Sequence, residues 1–163
     1  MKTFKKVLLV GAIVVIGVLG VAISLTIGWQ PFIGPSARPL TSRQFERTPQ
    51  RVERGRYIFH SMAACVDCHS EHDVSKPGSP ILAGMEGSGE VLPFDGLPGR
   101  VVAPNLTPEP QTGSGNWTDD QLALSIREGI GHDGRALFPM MPYGFYRQMS
   151  DEDLASVVVY IRS

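Results

Sequence analysis

The first long pattern in the chain is a run of mostly apolar residues without charge, from Val7 to Trp29. As a helix, this run would be roughly 34 Å long at about 1.5 Å per residue, enough to cross a hydrocarbon core of about 30 Å. The apolar part of a secretory signal peptide is shorter, typically about 7–15 residues. We therefore predict one membrane-spanning anchor over residues 1–29, with Trp29 at the membrane interface.

The charges around this run predict its orientation. Lys2, Lys5 and Lys6 precede it, and the first acidic residue is Glu46. Because positive charges that flank a span stay in the cytoplasm, the rest of the chain is expected on the other side. Prolines and glycines from residue 31 onward predict an extended linker over residues 30–47, followed by one domain over residues 48–163.

The first helix of that domain is predicted from about Pro49 to Met62, with Thr48 as its N-cap. Its apolar stripe consists of Val52, Gly55, Phe59 and Met62. A glycine inside a helix costs about 1 kcal/mol relative to alanine, so Gly55 predicts the close approach of another side chain, such as Tyr160. Another face carries three arginines, typical of a solvated surface or of a docking patch for a partner. They are Arg47, Arg51 and Arg54.

Two later helices are predicted from their capping residues. Thr118 and Gln121 have the spacing of a capping box, and Gly129 or Gly131 would end that helix. The last helix is expected to begin at Ser150 and to bury one apolar face against the first helix. That face consists of Leu154, Val157, Val158 and Ile161.

The middle of the chain, residues 73–116, is rich in glycine and proline and has no sustained period. Short extended pieces are expected only at residues 89–94 and 99–103. An irregular stretch of this length is unusual in a compact domain unless something other than secondary structure fills the core. The elements predicted on either side are helices, so the expected fold class is all-α with long loops.

The excess of acidic residues in the domain argues against one class of partner, nucleic acid. From Tyr57 to the end, the chain has 6 basic and 14 acidic residues. Such a domain would repel phosphates, so nucleic acid is not an expected partner.

The candidate chemistry lies in Cys65-Val66-Asp67-Cys68-His69, which contains both cysteines of the chain. The C-x-x-C-H spacing is the attachment signature of a c-type haem, in which two thiols form thioethers and the adjacent imidazole binds the iron. A zinc site would need more cysteines, and a thioredoxin-like redox pair would need a βαβ pattern. We predict one covalent haem c, with His69 as the proximal iron ligand. Covalent attachment of haem in bacteria takes place outside the cytoplasm, in agreement with the predicted orientation.

The second iron ligand is expected in residues 132–149, HDGRALFPMMPYGFYRQM. Met141 is the first choice, because Pro142 favours an extended backbone there and a thioether stabilises reduced iron. Met140 is the fallback, and His132 is the strongest histidine rival. The other histidines, His60 and His72, lie too close to the attachment motif to reach the opposite face of a haem.

Two further interactions are expected at the haem or at its histidine ligand. Trp117 either packs at the start of its helix or donates a hydrogen bond to a haem propionate. A proline carbonyl is expected to accept the ring N–H of His69, and Pro77 and Pro80 are both candidates.

Five more motifs accompany these residues. They are Asn105-Leu106-Thr107-Pro108, Gly115-Asn116-Trp117-Thr118, Asp133-Gly134-Arg135, Phe138-Pro139-Met140-Met141-Pro142-Tyr143 and Met149-Ser150-Asp151-Glu152-Asp153. Over about residues 50–163 the chain resembles class I c-type cytochromes, most closely the cytochrome c subunits of membrane-bound alcohol and gluconate dehydrogenases. Those subunits typically carry three C-x-x-C-H domains, whereas this chain carries one.

The resemblance implies the cytochrome c fold, with about three to four helices and long loops around one haem. It also implies thioethers at Cys65 and Cys68 and axial ligation by His69 and Met141. The expected function is that of a single-pass, membrane-anchored carrier of single electrons on the periplasmic side of a bacterial cytoplasmic membrane. Its partners would be redox proteins, as a free carrier or as a subunit of a respiratory, photosynthetic or dehydrogenase complex. No enzyme activity and no small-molecule substrate is expected; the alternative is a haem enzyme or gas sensor whose sixth coordination site is open.

Overall fold

The structure, a computed structural model, describes residues 2–26, 36–94, 96 and 99–163. The chain divides into two units, Met1–Ser36 and Ala37–Ser163. The first unit contains helix α1, Lys2–Thr26, of which Thr3–Thr26 is long and apolar enough to cross a membrane. A signal sequence near an N-terminus has the same property. Trp29 and the first part of the predicted linker lie outside the described residues.

The second unit is mostly helical, as predicted. Its elements in chain order are α2 (Pro49–Tyr57), a π-helix (Ile58–Met62), α3 (Val66–His69), β1 (Glu90–Leu92), β2 (Val101–Ala103), α4 (Asp119–Glu128), α5 (Tyr143–Tyr146) and α6 (Asp151–Ile161). The strands form an antiparallel pair in which Val91 lies opposite Val102. This pair confirms the two extended pieces expected in the irregular middle of the chain.

All three predicted N-caps are present. Thr48 accepts a hydrogen bond from the Arg51 backbone, Thr118 forms a capping box with Gln121, and Ser150 accepts from the Asp153 backbone. Helix α4 ends at Gly129, whose φ of 67° is left-handed, so the first of the two predicted C-terminal glycines is correct.

Helices α2 and α6 cross at Gly55, as the sequence predicts. A Cβ on Gly55 would lie 2.0 Å from the Ser156 carbonyl oxygen and 2.7 Å from Tyr160 Cβ. Two of the three arginines expected on one polar face, Arg51 and Arg54, lie on α2 and also take part in this contact, whereas Arg47 precedes the helix. Arg51 pairs with Glu152 and Arg54 with Asp153, each at 2.8 Å. The contact therefore combines apolar burial with ion pairs at its edge.

The π-helix changes which residues of the first helical segment face the core. Ala63 N donates to Ile58 O and Cys65 N to Phe59 O, both at 2.8 Å. Ile58 and Phe59 are buried, whereas the side chain of Met62 is 62% exposed, so the apolar stripe predicted from the sequence is wrong at Met62. A π turn holds more residues than an α turn, which rotates Met62 away from the face that a regular helix would give it.

The described part of the predicted linker, residues 36–47, contains neither helix nor strand. It nevertheless contacts α4, because the Arg38 guanidinium donates to both carboxylate oxygens of Asp120 at 2.7 Å. Thr41 donates its backbone N–H to the same carboxylate at 2.7 Å, and Asp120 is fully buried. This segment is thus attached to the helical domain by side chains rather than by secondary structure.

Candidate haem-attachment site

The cysteines and the histidine of the motif are placed by α3, which is a single helical turn. Cys65 precedes the turn, and His69, whose N–H donates to the Cys65 carbonyl at 2.9 Å, is its last residue. Residues three apart on a helical turn lie on the same side, so this backbone places Cys65 and Cys68 together. Both thiols are free; Cys65 is half-buried and Cys68 is exposed.

The environment keeps these two thiols neutral. Burial raises the pKa of the Cys65 thiol to about 12, and burial is also the main cause of the raised pKa of Cys68. Among the described residues, no group of three or more His, Cys, Asp or Glu side chains is arranged to hold a metal ion, which argues against a zinc site with the usual four ligands.

The His69 ring is oriented by a backbone carbonyl. Its Nδ1 lies 2.8 Å from the Pro104 oxygen, and because a carbonyl can only accept, Nδ1 carries the proton and Nε2 keeps its lone pair. A ligating histidine is commonly oriented in this way. Burial lowers the pKa of His69, partly offset by the bond to Pro104, so the ring stays neutral at pH 7.

Pro104 corrects the sequence-based expectation that Pro77 or Pro80 would accept this hydrogen bond. Pro104 is 35 residues from His69. The only sequence signal for it was its place directly before the Asn105–Pro108 motif. The surrounding loops form hydrogen bonds with one another, from Gly89 N to His69 O at 2.9 Å and from Leu106 N to Gly87 O at 2.8 Å.

The two candidate methionines have different environments. Met141 is half-buried and packs against the core, whereas Met140 is 41% exposed. The backbone around Met141 turns tightly, with its N–H donating to Phe138 O at 3.2 Å and its carbonyl accepting from Tyr143 N at 2.8 Å. This difference supports Met141 over Met140 as the inward-facing thioether.

Tyr146 joins the methionine segment to the attachment motif. Its hydroxyl donates to the Ala63 carbonyl at 2.7 Å, two residues before Cys65. The pKa of Tyr146 is raised to about 12, mainly by burial and further by the nearby Cys65 and Cys68. The segment that carries Met141 therefore lies beside the motif, although more than seventy residues separate them in sequence.

Trp117 contacts the strongest histidine rival. Its ring stacks on His132, with centroids 4.2 Å apart and planes 27° apart, and it is itself half-buried against the core. The packing role predicted for Trp117 is thus present. The other two histidines contact carboxylates: His60 Nε2 lies 2.7 Å from Glu86, and His72 Nδ1 lies 2.9 Å from Glu90.

This set of donors fits a covalent haem. It offers two neutral thiols on one turn, an imidazole with a free Nε2, and a half-buried thioether. Several apolar side chains pack against the core yet remain only partly buried, as expected of residues that line a flat apolar group. They include Ile81, Leu106, Trp117, Met141, Tyr146 and Met149.

Comparison with known proteins agrees with this geometry. A cytochrome c family model matches residues 52–163. A gluconate 2-dehydrogenase cytochrome c subunit from Pantoea cypripedii is 34% identical over 109 residues, covering 67% of this chain and 22% of that protein. The cytochrome c subunit of a quinone alcohol dehydrogenase from Gluconobacter oxydans is 28% identical over 109 residues, with shares of 67% and 20%.

Another relative matches over more of this chain. A nicotinate dehydrogenase subunit from Pseudomonas putida is 33% identical over 150 residues, covering 90% of this chain and 11% of that protein. The chain thus spans between 11% and 22% of the length of these three relatives. The similarity to cytochrome c subunits of alcohol and gluconate dehydrogenases confirms the resemblance derived from the motifs.

Proposed function

The chain belongs to the cytochrome c family, and from that premise we propose that it is a monohaem electron carrier anchored to a bacterial membrane. The observation that carries the proposal is the orientation of His69 by Pro104, which leaves Nε2 for iron, together with a half-buried Met141 beside the same motif. The family implies covalently bound haem c, and the chain has one C-x-x-C-H motif to hold it.

Cys65 and Cys68 would hold the porphyrin as thioethers, with His69 and Met141 as the axial ligands. The haem supplies an iron that accepts and releases one electron. A neutral imidazole and a neutral thioether favour reduced iron more than two imidazoles would, so this ligand pair raises the reduction potential. With His69 and Met141 both bound, the iron would offer no site to small molecules.

The surrounding residues limit movement of these ligands. The Pro104 carbonyl keeps the His69 ring in one orientation, and Tyr146 holds the methionine segment against the attachment motif. Ligands that stay in place when the charge on the iron changes reduce the reorganisation that electron transfer requires.

Helix α1 would anchor this domain to the membrane. Lysines before the helix place its N-terminus in the cytoplasm under the positive-inside rule, so the haem domain would lie on the periplasmic side. A tethered domain stays near the membrane surface, which raises its effective concentration toward membrane-bound partners. Separating membranes from soluble protein, followed by protease treatment of intact spheroplasts, tests both the anchor and the side.

The relatives suggest the class of partner. Two are cytochrome c subunits of a gluconate and an alcohol dehydrogenase, so a membrane-bound dehydrogenase is the proposed electron donor or host complex. Purification in mild detergent, followed by identification of the co-purifying proteins, tests this partner. A preparation that contains this chain alone would instead indicate a free carrier.

The axial ligand is tested by exchanging each methionine for leucine. We expect Met141→Leu to abolish the weak far-red absorption band that ferric iron shows when bound by a methionine sulfur. Met140→Leu, the matched control, should keep that band because Met140 is exposed. A high-spin wild-type protein that binds carbon monoxide rapidly would contradict the proposal and would favour the open-site enzyme or sensor.

A further inference from the structure

Arg127, in the last turn of α4, connects three parts of the fold. Its Nη1 donates to the Asp151 carboxylate at 2.6 Å, and its Nη2 donates to the Met149 carbonyl. These two acceptors flank Ser150, the N-cap of α6. One guanidinium therefore links α4 to the last residue of the methionine-bearing loop and to the first residue of α6.

We call residues 132–149 the Met141 loop. Its first half is attached to the end of α4 through backbone contacts, since Leu137 N donates to Gly129 O at 2.7 Å. The Tyr143 ring packs so closely on Gly129 that a Cβ there would lie 2.5 Å from the ring. Arg127 attaches the other end of the loop, so both ends are attached to the same helix.

The charge and shape of the Arg127 side chain suit it to binding two acceptors at once. A guanidinium can donate in two directions from one rigid plane, whereas a lysine ammonium lacks that fork. The Arg127 side chain is 21% exposed, so its bonds are partly shielded from water. Its Nε is buried and has no hydrogen-bond partner among the described residues. Arg127 therefore forms its two bonds even though one buried donor stays unpaired, which is unfavourable.

We propose that Arg127 is a positioning residue that holds the Met141 loop on α4 and thereby keeps the Met141 sulfur on the iron. The inference rests on the proposed function, since it assumes Met141 as the sixth ligand. Loops without a buried core open locally at lower cost than core helices do. Without Arg127, the end of the Met141 loop separates from α4 more often, and the sulfur leaves the iron more often.

The test uses the full haem-loaded chain and measures how fast carbon monoxide binds to the ferrous protein, because the gas must wait for Met141 to dissociate. We expect Arg127→Gln to speed this binding by about tenfold, following the larger fraction of open loop. Arg127→Lys, which keeps the charge but not the fork, should fall between Arg127→Gln and the wild type. The far-red band of the ferric protein should weaken in the same order.

Arg135→Gln is the matched control. Arg135 lies on the same loop, and within the described residues its side chain pairs only with Asp133, at 3.1 Å, so Arg135→Gln should leave the carbon monoxide rate unchanged. Gly55→Ala is the control for general destabilisation, since it strains the α2–α6 contact without removing a bond of Arg127. If Arg127→Gln lowers unfolding stability but leaves both the rate and the band at wild-type values, Arg127 is merely structural and the proposal is overturned.

A second variant keeps the test decisive if Arg127→Gln does not fold. Asp151→Asn weakens one of the two bonds of Arg127 at an exposed position and should raise the carbon monoxide rate by about threefold. No change in that variant would also overturn the proposal. If the wild-type protein lacks the methionine band, the proposed function itself is refuted. If the band is present and disappears in Met141→Leu, the proposed function stands, and the carbon monoxide rates then test Arg127 alone.

Discussion

The α2–α6 contact and the Met141 loop are the two regions that border the haem-attachment motif, and they differ in what holds them. Helix α6 buries seven of its 11 residues, and Leu154, Val157 and Val158 are each at most 1% exposed. Every residue from 133 to 149 is at least partly exposed. The helix contact is stabilised mainly by apolar burial, whereas the loop has only half-buried packing contacts and is attached by individual hydrogen bonds at its two ends and at Tyr146.

The two regions would also hold the haem differently: the helix contact lies beside the covalent thioethers, and the loop carries the weaker Met141 ligand. The cysteines and His69 directly follow the helical segment that packs on α6, so the covalent attachment would lie next to the buried α2–α6 contact. Met141 lies on a segment without a fully buried side chain. Local opening is therefore expected to release the thioether before it disturbs the attachment motif.

The largest expected effect comes from filling the space at Gly55. A methyl group would overlap the Ser156 carbonyl, so we expect Gly55→Ala to lower the free energy of unfolding by about 3 kcal/mol. Urea unfolding followed by circular dichroism measures it. The control is Gly144→Ala on the Met141 loop, where no atom lies within 4 Å of the added Cβ. A comparable loss in Gly144→Ala would contradict the expectation that the loop tolerates an added methyl group where the helix contact does not.

The next effect is the acid sensitivity of α4, the helix to which both ends of the loop are attached. The Arg38 guanidinium lowers the pKa of Asp120 to about 2, from its ordinary 3.8. A carboxyl whose pKa is depressed in the folded state stabilises the fold above its unfolded pKa, and this contribution disappears as the pH falls from about 4 to 2. The loss should be about 2 kcal/mol.

Urea midpoints measured between pH 5 and pH 2 test this pH dependence. Asp120→Asn should remove that part of the dependence, because the amide does not titrate. Asp133→Asn is the control on the exposed Met141 loop, where hydrogen bonding by the Arg135 backbone also lowers the pKa of the carboxyl but without burial of the side chain. If both variants flatten the pH profile equally, burial at Asp120 is not what makes its contribution larger.

The smallest effect is expected at the link between the two regions. Tyr146→Phe removes the hydrogen bond to Ala63 and should cost about 1 kcal/mol in unfolding free energy. It should also weaken the far-red band of the ferric protein, since the loop loses its contact with the attachment motif. Tyr143→Phe is the matched control, because the Tyr143 hydroxyl makes no hydrogen bond within the described residues. A band equally weak in both variants would contradict this role of Tyr146.

Several features were correctly predicted because they depend on neighbours in sequence. The caps at Thr48, Thr118 and Ser150 each involve a backbone N–H only three residues away. Gly55 predicted a helix crossing because a glycine inside a helix is costly without such a contact. The apolar stripe predicted for the first helix was wrong at Met62, since a period of 3.6 residues does not describe the wider turn of a π-helix.

Other contacts could not be found from the sequence. Pro104 is one of 13 prolines, and only the folded chain brings its carbonyl to His69. Arg38 reaches Asp120 across 82 residues, and Arg127 reaches Asp151 across 24. Charged residues give no periodic signal, so their partners depend on how the elements pack.

The sequence by itself determined the chemistry and its framework: the two thiols and the imidazole, the two candidate thioethers, the capped helices and the long apolar helix. These follow from residue type and from spacing over a few positions, because local backbone geometry fixes where residues that close in sequence lie relative to one another. The tertiary structure decided which carbonyl orients His69, which methionine is the more buried, and which arginine holds the Met141 loop. Those choices depend on contacts between residues far apart in sequence, where burial and charge pairing select one partner among many chemically equivalent ones.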